Sequence, residues 1–396
     1  MERHTAEANI NTPVAASPHV YRAVQEHEFT RILLLHPSAD RDSPLRCDLT
    51  HCTATNFLCE AISYAWGPPD LTASLFCGPE NAEIRITPSL ESALRAFRLP
   101  SETRRLWADA VCINQHDLDE KIVQVRRMST IYRRAQHVRV WLGDEADDSN
   151  EAMRLFHLHE AKLIWLGDQI LAKPPGDLQL GGVVEESDPW YTKNLDNVEI
   201  ADEVRSLFSR RGEVAVRKLL ARPWFGRRWV IQEVGLAQQA SIHCGGASMD
   251  SKRLIACADV LEVVYRLHEP VVSTVVASIL DGLRALHAAV RAGCLAKKPL
   301  VEWMDKFYAS QCSDDRDRVY ALMGLGGDTE GRLADAQHGL ASLRYQSRVE
   351  QVYAALAVHT LKKHRKVGMA FLLSVATSFQ SRDLPGSNVP TWVPDW

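Results

Sequence analysis

The chain has 396 residues, 46% of them hydrophobic and 24% charged, with a formal net charge of -4. That length and composition exclude a wholly disordered chain and imply more than one core, and the slightly acidic balance gives no electrostatic reason to bind nucleic acid. No uncharged apolar run approaches the roughly 18 residues of a membrane span.

Residues 1–22 are polar and carry two prolines, which predicts a flexible tail. The start of the chain has no apolar core of a secretory signal. The nine cysteines, Cys47 to Cys312, follow no framework spacing. Free thiols in a reducing, cytoplasmic setting are therefore expected. Cys47, His51, Cys52 and Cys59 lie close together, but not at the spacing of a zinc set, so no metal is expected.

Arg31 to His36 reads as a first strand, followed by a polar stretch from Pro37 to Asn56. Leu58 to Trp66 reads as a buried strand running into a sharp loop at Gly67-Pro68-Pro69. Ser74 to Cys77 and Ala82 to Ile86 form a predicted hairpin around Gly78-Pro79. Thr87 can cap a helix in which Pro88 has no amide to leave unpaired. Leu106 to Ile113 is a predicted strand. Asp117 and Glu120 form a capping pair for the next helix, whose apolar stripe is Ile122, Val125, Met128 and Tyr132. His137 to Leu142 is a strand closing on Gly143. This strand and helix alternation implies a parallel sheet with helices on its faces.

From Asp147 to about Ala221 the pattern reads as an insertion of two helices around a loop, Lys173 to Asp188. A helix from Trp224 to Leu236 and a strand from Ala240 to Cys244 follow. Pro270 to Leu280 reads as a buried helix, and Val301 to Gly324 and Gln346 to Lys363 are the clearest helices of a mostly helical C-terminal region. No repeat, GxGxxG or P-loop pattern is evident.

Four segments in order resemble the fungal heterokaryon incompatibility (HET) domain: Ala61 to Gly67 (AISYAWG), Leu106 to Gln115 (LWADAVCINQ), Gln124 to Gly143, and Arg222 to Val234 with Arg228-Trp229-Val230-Ile231-Gln232-Glu233. The resemblance covers about Tyr21 to Gly245. It sets the expected organisation as a tail over 1–22, a HET domain over 23–245 with a helical insertion at about 147–221, and a helical region over 246–396. Cys312 to Leu325 and Thr391 to Trp396 are similar to segments that often follow this domain, and many members continue beyond them. The resemblance implies a role in fungal non-self recognition and programmed cell death. Assembly of the domain with itself or with protein partners is the expected mode. A non-enzymatic accessory role beside a secondary-metabolite cluster is an alternative.

The HET domain in turn resembles the TIR domain, which implies a flavodoxin-like parallel sheet. Ile62-Ser63-Tyr64 before the Gly67 loop is similar to the first TIR strand. Trp229 to Glu233 keeps the TIR Trp-to-Glu spacing, with Val230 in place of Cys. In TIR enzymes that cleave NAD this Glu is catalytic. The resemblance therefore implies a second alternative, with NAD as substrate rather than resident cofactor and Glu233 as the key carboxylate. A carboxylate suits that chemistry because glycosidic cleavage builds positive charge on the ribose. The bland alternative is a surface ion pair of Glu233 with Arg227 or Arg228. Asp109 interrupts an apolar strand near its carboxyl end, where open α/β sheets bind ligands. It is the second candidate catalytic residue; a carboxylate satisfied by nearby amides is its alternative. Ser63, Tyr64, Trp66, Gly67, Asn114, Gln115 and Trp229 are candidate ligand contacts at the same edge. Core packing and loop closure are the competing roles.

Overall fold

A computed structural model describes residues 16–171, 198–265, 273–329 and 344–363. Its frame is one nine-stranded sheet. The strands are β1 (Thr30–Leu35), β2 (Leu45–Cys52), β3 (Glu60–Tyr64), β4 (Ala73–Cys77), β5 (Ala82–Ile86), β6 (Arg104–Trp107), β7 (Val138–Trp141), β8 (Ala240–Cys244) and β9 (Ala247–Asp250). They lie in the order β5-β4-β2-β1-β6-β3-β7-β8-β9. β6, β3, β7 and β8 are mutually parallel, whereas β1 runs antiparallel to β6 and β9 antiparallel to β8. The expected parallel sheet is thus the middle of a larger mixed one. Counted along the chain, its four strands stand in the order second, first, third, fourth. That is the doubly wound order of flavodoxin-type sheets, whose switch point falls between the first and third strands, here β3 and β7.

Helices cover both faces. α1 (Pro88–Phe97) begins where expected: the Thr87 hydroxyl accepts the Leu90 amide at 3.3 Å, and Pro88 follows it. It packs on the face carrying Trp141, whose indole donates to Ser92 at 3.1 Å. Side chains alternate between faces along a strand, so Trp107 and Ser63 face the other side. There α3 (Leu118–Arg134) sets Tyr132 edge-on to Trp107 and donates its hydroxyl to the Ile62 carbonyl at 3.1 Å. Asp117 caps α3 through the amides of Asp119 and Glu120. Glu120 does not complete a reciprocal box; its carboxylate holds the buried guanidinium of Arg31.

Four further expectations shift. The polar stretch from Pro37 to Asn56 contains β2, held between β1 and β4 with Cys47 and Cys52 buried. The strand expected from Leu106 to Ile113 stops at Trp107. The Ala108 carbonyl accepts the Val111 and Cys112 amides, and Asp109 opens the short α2 (Asp109–Cys112). An aspartate is a poor strand residue and a good first-turn residue. The insertion shows three described helices, α4 (Ser149–Leu171), α5 (Val198–Ser206) and α6 (Arg210–Leu220), while the predicted loop Lys173 to Asp188 lies outside the described residues. In the predicted tail, residues 17–19 pair along β5: His19 N–H donates to the Glu83 carbonyl at 2.9 Å, and Glu83 N–H to that of Ser17 at 2.7 Å.

The helix expected from Trp224 to Leu236 is broken into a 3-10 turn, Pro223–Gly226, and α7 (Val230–Gly235). Between them Arg228 N–H leaves the helical path and donates to the Gln311 carbonyl at 2.7 Å, while Gln311 N–H donates to that of Gly226 at 2.9 Å. The C-terminal region opens with α8 (Ser251–Tyr265) and α9 (Thr274–Arg291); the predicted Pro270 to Leu280 helix is the start of α9, with 270–272 outside the described residues. The span Val301 to Gly324 resolves into α10 (Leu300–Lys306), an irregular loop, α11 (Asp317–Tyr320) and a 3-10 turn, Met323–Leu325. The break serves the same exchange, since the Phe307 carbonyl takes the Arg228 guanidinium and the Ser310 hydroxyl. α12 (Val349–Lys363) ends the described chain, and Thr391 to Trp396 lie beyond it.

Candidate functional site

β3 ends at the switch point with Ser63 and Tyr64, beside Trp141 of β7. Strand alternation aims Ser63 at α7. Its hydroxyl donates to Glu233 Oε2 and accepts the Trp224 indole N–H at 2.8 Å. Arg227 stands over the pair. One guanidinium nitrogen donates to the Tyr64 carbonyl and lies 4.0 Å from Glu233 Oε2. Ser63 is 1% exposed and Glu233 2%. The surface ion pair is therefore not what forms: Arg227 does face Glu233, but in the interior, and Arg228 points elsewhere.

Asp109 sits at the adjoining strand exit. Its Oδ2 accepts the Trp66 indole N–H at 3.0 Å and its Oδ1 the Ala110 amide at 2.8 Å. Burial raises the Tyr64 pKa and the nearby Asp109 adds to it, yet the Tyr64 hydroxyl has no well-formed hydrogen bond.

Burial dominates the electrostatics. Desolvation raises the Glu233 pKa to about 7; the Arg227 charge and the Ser63 hydrogen bond pull it down, and Asp109 pushes it up. Desolvation also raises Asp109, against Arg227 and the Trp66 hydrogen bond. Both carboxyls thus feel one guanidinium, and Asp109 disfavours the charge on Glu233.

The other candidates divide. Gly67 begins the exposed loop after β3 at φ +73° with open space around it, a conformation suited to glycine. Gln115 donates to the Asp109 carbonyl at 2.9 Å, and the Asn114 carboxamide oxygen accepts the His116 amide at 3.2 Å, so both close the turn after α2. Trp229 is not brought to the site. Its indole donates to Asp317 at 3.0 Å, and Asp317 also accepts the Tyr345 hydroxyl at 2.6 Å. Trp224 and Arg227 also belong to the network, beyond the candidates that the sequence suggests. The adjacent Arg227-Arg228 pair carried a signal, since an ion pair with Glu233 was one expectation; the indole bond to Ser63 carried none, because it spans 161 residues. Among the described residues no group of three or more His, Cys, Asp or Glu side chains could hold a metal ion, and no helix is long and apolar enough to cross a membrane.

Fold and site together define a doubly wound α/β domain whose strand-end network joins segments 170 residues apart. Residues 59–233 match the family described as Heterokaryon incompatibility protein (HET). The chain is also similar to "Heterokaryon incompatibility protein 6, OR allele" of Neurospora crassa, 27% identical over 407 residues. That alignment covers 92% of this chain and 57% of the relative, so the chain spans little more than half of the relative's length. No solved structure matches the chain.

Proposed function

We propose that this protein is an effector of heterokaryon incompatibility, acting in the cytoplasm through association of its HET domain with itself or with protein partners. The observation that carries this reading is the closure of the strand-end network. Glu233 is 2% exposed and its carboxylate is taken up by Ser63 under Arg227. A carboxylate closed in this way serves to join β3 to α7 and is not presented to a diffusing ligand. The fungal relative, named for incompatibility, supports the same direction.

One observation favours the second reading, cleavage of NAD. Asp109 disfavours the charge on Glu233 at the carboxyl edge of the parallel strands, beside the half-buried Trp66 and Arg227. A displacement of Arg227 would present Glu233 to a ribose, where its carboxylate would stabilise the positive charge of the breaking glycosidic bond.

Expressing the full chain in yeast, while following growth and cellular NAD, separates the readings. The expected result is growth arrest at constant NAD, with light scattering of the purified chain showing species larger than a monomer. NAD loss that disappears in Glu233→Gln overturns this in favour of catalysis. Unchanged growth at every dose, with a strictly monomeric chain, overturns it in favour of an accessory role in a metabolic cluster.

A further inference from the structure

Two of the cysteines are neighbours for a reason that the strand-end network does not use. β2 and β4 are adjacent and parallel, and Cys47 stands in register with Cys77. Side chains in register on neighbouring strands leave the same face from backbones about 4.8 Å apart. That separation lies inside the roughly 4.4–6.8 Å over which disulfides bridge two Cα atoms, so a bond between them needs no rearrangement of the sheet. Both side chains are buried, and each sulfur lies close enough to the other to shift its titration.

The end of β4 adds to this. Gly78 takes the last ladder bond, its amide donating to the Cys47 carbonyl at 2.9 Å, and turns away at φ +71°. The neighbouring Cys47 sulfur lowers the Cys77 thiol below its ordinary pKa against burial, while the Cys77 sulfur and burial hold Cys47 well above it. Two thiols placed side by side in this way can act in turn as nucleophile and resolving group. The pair links the edge hairpin β4–β5 to β2, away from the middle of the sheet.

We propose that Cys47 and Cys77 form a thiol pair that a peroxide oxidises to a cross-strand disulfide, closing the loop that carries Ser63, Tyr64 and Gly67. The Cys77 sulfur attacks one peroxide oxygen; the O–O bond breaks and one water leaves, giving a sulfenic acid at Cys77. The Cys47 sulfur then attacks the Cys77 sulfur. The S–O bond breaks, the S–S bond forms, and the hydroxyl leaves as a second water with the Cys47 proton. Two thiols are oxidised by two electrons and one hydrogen peroxide is reduced to two waters. The ring so closed contains all of β3, so oxidation restricts the strand that holds Glu233 through Ser63. This holds under either reading of the domain's function.

The test treats the folded full chain with hydrogen peroxide, blocks remaining thiols, and digests it with trypsin and a glutamate-specific protease. Cleavage after Arg46, Glu60 and Glu80 separates residues 47–60 from 61–80. The expected product is these two peptides joined, two hydrogens lighter than their sum. Fragmentation should place the bond at Cys47 rather than Cys52 or Cys59, and circular dichroism should stay unchanged. Cys47→Ser should lose the linked peptide, and the oxidised wild type should melt several degrees higher than the reduced form. A bond from Cys77 to any other cysteine overturns the proposal. So does the recovery of both thiols free after peroxide treatment of the folded wild type, a result that does not depend on whether the serine variant folds.

Discussion

Replacing Glu233 with glutamine tests the interior electrostatics of the domain directly. Glutamine keeps the shape of the side chain and an oxygen that accepts the Ser63 hydroxyl, but cannot ionise. In the folded protein the Glu233 carboxyl holds its proton up to about pH 7, mainly because burial penalises the anion; in the unfolded chain it loses it near the ordinary value of 4.5. Between those two values the folded state binds the extra proton, so raising pH draws the wild type toward the unfolded state. Over a gap of about 2.5 pH units, at about 1.4 kcal/mol per unit, this amounts to about 3 kcal/mol. Below the lower value Glu233 is protonated in both states, and above about 7 it is ionised in both, so the effect is flat outside the window. Glu233→Gln should therefore match the wild type in stability at about pH 4.5 and exceed it by about 3 kcal/mol at about pH 8. Taking the difference between variant and wild type cancels other buried acids, including Asp317, whose pKa burial raises to about 6. Urea unfolding of both proteins across this range, followed by tryptophan fluorescence, measures it. A difference that stays constant within about 0.5 kcal/mol across the range would refute the reasoning, because it would mean that Glu233 ionises in the fold as it does in water.

Two other substitutions address how the domain is held. Arg228 is 1% exposed and its guanidinium donates to the carbonyls of Phe307 and Arg318 and to the Ser310 hydroxyl. Arg228→Met keeps the length but strips these donors, and should cost about 2–4 kcal/mol in urea unfolding, with faster proteolysis between residues 300 and 325; an unchanged midpoint would show that the clamp contributes nothing. Gly282 of α9 has room for no side chain, since a Cβ there would lie 2.1 Å from the buried Phe307 ring. Gly282→Ala should gain about 1 kcal/mol of helix propensity and lose about 1–3 kcal/mol to overpacking, giving a lower melting temperature; a higher one would mean that the ring moves freely.

Local chemistry alone determined much of this protein. Thr87 with Pro88, Asp117 at the head of α3, the Gly78 to Asn81 turn and the strand that stops before Gly67 all act through atoms within a few residues of one another, so they could be read along the chain. The alternation of apolar strands and amphipathic helices likewise determined the layered α/β class. The four motif segments pointed to the HET domain. Other features are set by partners far away. β2 is polar enough to pass for a loop and becomes a strand because β1 and β4 supply its ladder on both sides. The helix expected through Arg227 and Arg228 breaks because Gln311, more than 80 residues later, offers its backbone pair a different path. Trp229 looked like a ligand contact by spacing, and Asp317 decides otherwise. The same holds for Glu233. Its position four residues after Trp229 is in the sequence, but its displaced pKa is not, because desolvation depends on what the folded chain packs around the carboxyl: Ser63 below it, Trp224 behind that serine, and Arg227 above.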